Sequence, residues 1–400
     1  MKIFTPDAPE YQSVDTSKLV LVQMDETISD TKFEGKPIGF LKDAMIRFCR
    51  NKGSLIAFFV ILLMILLAIF GPSFNKYGYN EQNGDIKDLP PKVPGLCEIG
   101  IMDGSRWLER QLKYNPETDQ GVFLDGNYKN TDDSNLADKY KGCILDVKYT
   151  GKVLRGKQMV EVKLDYYKYE GVEEGTYFWF GTDYLGRDLW TRLWRGARVS
   201  LIIAFVSTMA NVAIGLVYGS IAGYYGGWVD MVLMRITEVI SAIPQIVIVT
   251  LFMLYFGAGL TSIIFALLIQ NWIGTARMIR TQFYRYKGYE YVLAARTLGV
   301  KDGALIFKHI LPNSIGPIIT RAMIAIPSAI FTESFLAYLG LGVQAPDTSM
   351  GILLADGQKS LMQYPYKVWC PAIVISLLMI AFNLLANGLR DAFDPTQRGV

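Results

Sequence analysis

The sequence has 400 residues, 40 Lys+Arg against 37 Asp+Glu and a formal net charge of +3, so no bulk charge points to nucleic acid. Its single histidine, His309, excludes multi-histidine zinc sites, and its four cysteines (Cys49, Cys97, Cys143, Cys370) show no C-x-x-C spacing, which removes zinc ribbons and thioredoxin-like motifs. Charged residues make up 19%, hydrophobic ones 51%, and mean hydropathy is +0.23, whereas soluble chains average roughly 25% charged.

Residues 1–53 form a polar tail with eight basic and eight acidic side chains. Within it Ile38–Phe48 spaces its apolar residues as an interfacial helix would. Ser54–Gly71 is an eighteen-residue run without a charge, roughly 27 Å as a helix and long enough for a bilayer core. The fifty residues before it, and the absence of a small-residue cleavage site after it, argue against a signal peptide. Five further spans are expected at about 199–222, 232–256, 260–273, 314–339 and 368–389. The fold class is therefore an all-α polytopic membrane protein with six transmembrane helices.

Lys42, Arg47, Arg50 and Lys52 against Asp43 precede the first span, and 277–308 carries seven basic residues against Glu290 and Asp302. The positive-inside rule puts both stretches in the cytoplasm, with both tails, including 390–400. Residues 72–190 are then an extracytoplasmic insertion, α+β or mostly β, with sixteen basic and twenty acidic residues. Asn75–Gly95 reads as loop. Cys143–Thr150 and Met159–Tyr169 alternate as two strands of a hairpin turning at Gly151–Lys157. Cys97 and Cys143 share this domain, where an oxidising exterior permits a disulfide. Tyr166, Tyr167, Tyr169, Tyr177, Phe178 and Trp179 make either a contact surface or the domain's own core.

The remaining core, 191–389, holds the other signals. Gly215, Gly219 and Gly223 fall at i, i+4, i+8, a face for close helix packing within the chain or against a partner. Pro244 and Pro327 interrupt spans three and five as flex points or static kinks. Ionisable residues in spans are expensive and mark cavities or partners. Glu333 is the main candidate to line a pathway, followed by Glu238, Arg321 and the polar Asn211, Gln270, Asn271 and Asn383. In the loop 277–313, Tyr291, Ala294, Ala295 and Leu298 fall at i, i+3, i+4, i+7 on one face of a short helix, with Gly299 just past its end and Pro312 breaking the chain before the next span. Such a helix of small residues on the cytoplasmic surface is suited to docking another protein, or to packing on its own chain.

This loop resembles the EAA motif of ABC importer permeases, which forms a coupling helix on the ATPase subunit. Ala294, Ala295, Gly299, Leu311 and Pro312 match, while Leu293 stands at the motif's Glu and Glu290 lies one turn earlier on nearly the same face. Phe180–Leu201 (FGTDYLGRDLWTRLWRGARVSL) is similar to a block of the OppC/DppC-type permeases of oligopeptide and dipeptide importers, with Thr191 in place of Ser. Gly223–Asp230, Phe335–Gly342 and Gly388–Pro395 match the same branch. Without that context, Asp183, Arg187, Asp188 and Arg192 read as ion pairs exposed at the outer surface. The resemblance, over 38–71 and 180–395, implies a type I importer permease fold and a non-catalytic subunit of an ATP-driven peptide importer. It implies a second permease, two ATP-binding subunits that hold ATP and Mg, and an extracytoplasmic substrate-binding lipoprotein as partners, beside the peptide and membrane lipid. Glu290, Tyr291, Leu293, Ala294, Ala295, Arg296, Leu298 and Gly299 would carry the coupling. The chain has no G-x-x-x-x-G-K-[ST] loop, so no nucleotide cofactor and no metal is expected on it. Importers of nickel, glutathione or sugars share these motifs. A secondary transporter relaying protons through Glu238 and Glu333, or a receptor or enzyme built on 72–190, are the competing classes.

Overall fold

The computed structural model describes residues 40–115, 120–124, 143–154 and 157–393. The chain divides into two units at Asp43/Ala44, and every helix after the first, the sheet and the sites belong to the second. Helix α1 is Phe40–Arg50 and α2 is Lys52–Phe70. Asn51 separates them and caps α2, its side chain accepting the Ser54 N–H at 3.2 Å. Along α2 the buried residues are Ser54, Ala57, Ile61, Met64 and Ala68, a stripe of period three to four. Phe58, Phe59, Leu62, Leu63 and Leu66 point away from the protein. A helix that presents its largest apolar side chains outward is built for a hydrocarbon surround.

The insertion is a four-stranded antiparallel sheet in the order β2-β1-β4-β3, from β1 Ser105–Asn115, β2 Gln120–Leu124, β3 Ile144–Leu154 and β4 Lys157–Asp165. The expected hairpin is present, but β3 runs through Gly151 on an irregular register instead of turning there. The second strand stops at Asp165, whose carboxylate accepts the N–H groups of Tyr167 and Lys168 and so starts the short helix α3, Tyr166–Tyr169. The aromatic cluster is mainly core. Tyr167 and Phe178 close over Leu89, and Tyr169 packs with Val162 and Leu164. Asp103 fixes the start of β1: burial raises its carboxyl, but hydrogen bonds from Ser105 and Lys163 outweigh that and hold it below the usual carboxylate range. The expected Cys97–Cys143 disulfide is not made; both residues carry thiols. Cys143 is enclosed in the Val162–Leu164 cluster, while Cys97 starts a turn at Cys97–Ile99 outside it.

Helix α4, Leu189–Tyr225, is the longest, at 37 residues. It is followed by α5 Gly227–Ser241, α6 Gln245–Phe256, α7 Leu260–Gln270, α8 Trp272–Tyr286, α9 Glu290–Thr297, α10 Ile315–Tyr338, α11 Met350–Gln358 and α12 Tyr366–Phe393. Among the described residues five helical runs are long and apolar enough to cross a membrane, or six if α5 and α6 count as one span bent by 74°. The bend falls at Pro244. A residue before proline is disfavoured as helix, and Pro244 itself is extended (φ −60, ψ 129). Gln270 braces the break, its Nε2 donating to the carbonyls of Ile240 (2.8 Å) and Ile243 (2.6 Å) beside it.

Gly215, Gly219 and Gly223 pack within the chain, against α8. A Cβ on Gly219 would lie 2.4 Å from the Ala276 carbonyl oxygen, and one on Gly223 would lie 2.7 Å from that of Arg280. The axes can therefore approach only because these positions are bare. Residues 302–314, before α10, contain a π-helical stretch, Leu305–Ile310, and a turn, Leu311–Ser314. Pro312 lacks the N–H that a regular helix needs there, and the widened turn absorbs the mismatch.

Candidate docking site

Helix α9 is short and would be marginal alone; its surroundings hold it. It starts after Tyr289, which is extended, and ends in a left-handed Gly299 (φ +81). The Gly299 N–H donates to the Arg296 carbonyl (3.0 Å) and the Val300 N–H to the Ala295 carbonyl (3.2 Å). These two bonds satisfy carbonyls that the helix end orphans, and the first requires a residue tolerant of positive φ. Val292 and Ala295 point into the protein, against Phe283, Leu305, Ile306 and Ile310. The Asn313 amide donates to the Tyr291 hydroxyl (3.1 Å), and the Tyr224 hydroxyl donates to Asp302 (2.6 Å) while its ring lies 5.3 Å from the Arg296 guanidinium. Below, Arg280 pairs with Asp230, and Tyr284 donates to the same carboxylate at 2.9 Å.

The expected stripe of Tyr291, Ala294, Ala295 and Leu298 is split between two faces. Ala295 turns inward with Val292, which is fully enclosed, whereas Tyr291, Ala294 and Leu298 stay outside. Leu293, at 45% exposure, and Leu298, at 84%, lie on that outer face with Glu290. Leaving large apolar side chains in water forgoes roughly 1.5–3 kcal/mol each relative to full burial. Here they are presented by a helix whose other side is locked down. The sequence pattern missed Val292 and Val300 as anchors. Their signal was present, since both are β-branched apolar residues flanking the alanines.

The pathway candidates do not converge. Glu333, expected to line a passage, is instead fully enclosed, accepting a hydrogen bond from Ser200 at 2.9 Å. Glu238 is on the surface, paired with Arg235 at 2.6 Å. Gln270 serves the α5–α6 bend, Asn271 joins α7 to α8, Asn211 is buried within α4 and Asn383 is exposed on α12. Among the described residues no cluster of three or more His, Cys, Asp or Glu is placed to hold a metal.

A second constellation surrounds the start of α4. Asp183, Arg187, Asp188 and Arg192, expected as exposed pairs, are all buried. Asp183 accepts from the backbone N–H groups of Leu185 and Arg187 (both 2.9 Å) and from Arg187 Nε (2.7 Å). Asp188 caps α4, accepting the Thr191 N–H (2.8 Å), the Thr191 hydroxyl (2.6 Å) and the Asn75 amide (3.0 Å). Burial raises the Asp188 carboxyl, against these hydrogen bonds. The Thr191 hydroxyl makes the bond that a Ser would, so the departure from the motif leaves the cap intact. Arg198 reaches back to the carbonyls of Ala68 and Ile69 at the end of α2. The loops must approach closely here: Gly186, at φ +73, has the Asn83 carbonyl oxygen 1.9 Å from where a Cβ would be.

With this geometry in hand, the chain's relatives are informative. Residues 215–399 match the family described as binding-protein-dependent transport system inner membrane component, and residues 39–91 match the N-terminal TM domain of oligopeptide transport permease C. Over 367 residues the chain is 34% identical to the oligopeptide transport system permease protein OppC of Bacillus subtilis (strain 168), spanning 92% of this chain and 93% of that one. Over 372 residues it is 34% identical to the dipeptide transport system permease protein DppC of Lactococcus lactis subsp. cremoris (strain MG1363), spanning 92% and 94%. Among solved structures, a chain of the inward-facing MetNI methionine ABC transporter aligns with a TM-score of 0.40 and 18% identity over 51% of this chain and 96% of that one, too distant to carry an argument.

Proposed function

Because the chain belongs to the binding-protein-dependent transport system inner-membrane components, in the OppC/DppC branch of ABC permeases, we propose that it is the non-catalytic permease subunit of an ATP-driven importer of oligopeptides or dipeptides. A second permease completes the passage. Two ATP-binding subunits, which hold ATP and Mg, dock on the outer face of α9. A substrate-binding lipoprotein delivers the peptide on the other side of the membrane. Both chain termini then lie in the cytoplasm and the four-stranded insertion lies outside, in keeping with the Lys/Arg bias of residues 42–52 and 277–308.

The observation that carries this reading is the exposure of Leu298 and Leu293 on a helix whose opposite face is fixed. A helix free to flop would transmit nothing. Helix α9 is tied through Val292 and Ala295 to α8 and the 302–314 segment, so displacing it must move the spans beside it. Nucleotide-driven closure of the docked ATPases would thus bias the permease between two states.

The test is to purify the tagged full chain from its native membrane in mild detergent, as the natural sequence and as Leu298→Asp. The natural chain should bring a second permease and ATPase subunits, and support ATP-dependent uptake of labelled peptide. Leu298→Asp should retain the second permease, lose the ATPases and abolish uptake. Uptake that persists without ATP, or is indifferent to Leu298→Asp, overturns the proposal in favour of a secondary transporter.

A further inference from the structure

The buried charges at the start of α4 border a cavity of about 270 Å³. Its walls bring together Asp88, Asp183 and Arg192 with Asp356, Lys359 and Lys367 from α11, α12 and their connection. Each carboxylate already has a cation. Asp88 pairs with Lys367, Asp183 takes Arg187 Nε at 2.7 Å, and Asp356 takes Lys359 Nζ at 3.0 Å. With the adjacent Arg187 and Asp188 counted, four carboxylates stand against four cations; Asp188 is served by Thr191 and Asn75, and Arg192 is the cation with no hydrogen-bonded carboxylate.

Arg192 is 3% exposed. Its Nε lies 3.6 Å from Asp183 Oδ2, within ion-pair range but beyond a hydrogen bond, and Nη2 reaches only the Thr348 hydroxyl at 3.4 Å. Among the described residues, Nε and Nη1 make no hydrogen bond. A buried guanidinium with open donors is costly, and a planar carboxylate is the acceptor that fits its fork. Asp356 lines the same cavity, and its partner, Lys359, is largely exposed and able to swing away.

We propose that this cavity is a binding site for a small zwitterion: Arg192 takes the ligand's carboxylate, and Asp356 its ammonium as Lys359 withdraws. A free amino acid and the end of a short peptide share that chemistry. That the ligand is cargo or its terminal residue rests on the transport reading above; the carboxylate specificity does not. On the proposed topology the cavity opens on the side where the substrate-binding protein delivers, so it would hold a peptide end at the mouth of the passage.

The experiment is calorimetric titration of the purified assembly in nanodiscs, without the binding protein, using dialanine, dialanine amide, N-acetyl-dialanine and alanine as probes. Dialanine should bind saturably and the amide about tenfold or more weakly, because an amide cannot pair with the guanidinium fork. Alanine binding as tightly as dialanine would mark a free amino acid as the ligand; weaker binding would mark a peptide end. Arg192→Lys keeps the charge without the fork and should weaken dialanine by a similar factor. Should that variant not assemble, Asp356→Asn, at a less enclosed position, should bring dialanine down to the affinity of N-acetyl-dialanine. Equal binding of dialanine and its amide, no saturable binding of any carboxylate, or binding unchanged in Arg192→Lys or Asp356→Asn overturns the inference. Peptide uptake that proceeds without such binding sinks this site alone. Binding without any peptide uptake sinks the transport reading and leaves the site standing.

Discussion

Around residues 181–192 the chain buries four charged side chains, while around residues 290–298 it leaves Tyr291, Leu293 and Leu298 exposed. The first region satisfies most of its groups internally: Asp183 and Asp188 collect hydrogen bonds from their own loop, from Thr191 and from Asn75. The second satisfies its backbone internally, through the Gly299 and Val300 bonds, but not its side chains. A buried, hydrogen-bonded charge network has one good arrangement and holds its loops in place. An apolar face left in water on a rigid base is finished only by another surface. The two regions therefore fail differently. Damage to the first should unfold the chain, and damage to the second should disconnect it.

The largest effect is expected from Asp183→Ala. It removes the carboxylate that Arg187 Nε holds at 2.7 Å and that lies 3.6 Å from Arg192 Nε, and breaking a buried pair in this way costs about 3–5 kcal/mol. Thermal inactivation of the detergent-purified chain should show a large loss, with little chain recovered from membranes. If the variant is as stable as the natural chain, the network is not the anchor described. Gly219→Val follows. Its Cβ would meet the Ala276 carbonyl oxygen at 2.4 Å, so α4 and α8 must part, an overpacking that costs about 1–3 kcal/mol. Because α8 leads directly to α9, this variant should also lower ATPase retention while leaving the 181–192 network intact. That would place it between the two regions in phenotype. A stable variant with full ATPase retention would show that the glycine seam does not position the docking helix. Gln270→Leu is smaller. It removes the donor that serves the Ile240 and Ile243 carbonyls at the α5–α6 break, and losing such a partner costs about 1–2 kcal/mol. A stability loss without a change in ATPase retention is the expected outcome; no loss would mean that the 74° bend holds itself.

How much of this was legible in the sequence depends on which physical signal each feature used. Spans one and six stood out because long uncharged runs have no other use in a chain of this composition. The bend at Pro244 was marked by the proline but not its size, which depends on Gln270 arriving from a helix thirty residues away. The short helix is where the pattern puts it, at Glu290–Thr297, yet of the face read as Tyr291, Ala294, Ala295 and Leu298 only Ala295 is enclosed, together with Val292. An eight-residue helix offers too few turns for periodicity to fix its rotation. The charges at 183–192 were misread as surface pairs because sequence shows only neighbours along the chain. Their burial comes from Asn75, Leu89 and the α11–α12 connection, 80 or more residues away on either side. The cavity beside Arg192 was invisible for the same reason, since its walls come from three separate stretches. Helix α11 gave no periodic signal, being nine residues with two glycines.

The smallest stability effect, and the sharpest contrast with Asp183→Ala, belongs to Leu298→Asp. Leu298 makes almost no use of the protein's interior at 84% exposure. Its backbone N–H donates to Ala294 regardless of side chain, and the helix end is closed by Gly299 and Val300. A surface substitution of this kind changes stability by no more than about 0.5 kcal/mol. A new carboxylate at the helix C-terminus opposes the macrodipole slightly, within the same range. The chain should therefore accumulate normally, inactivate at the temperature of the natural protein and keep its partner permease, yet import nothing. Charge on the docking face must be desolvated against the ATPase with no cation supplied by this chain's outer α9 surface except Arg296, which is engaged with Tyr224. If Leu298→Asp instead lowers stability as Asp183→Ala does, α9 is part of the chain's own core and the difference between the two regions disappears.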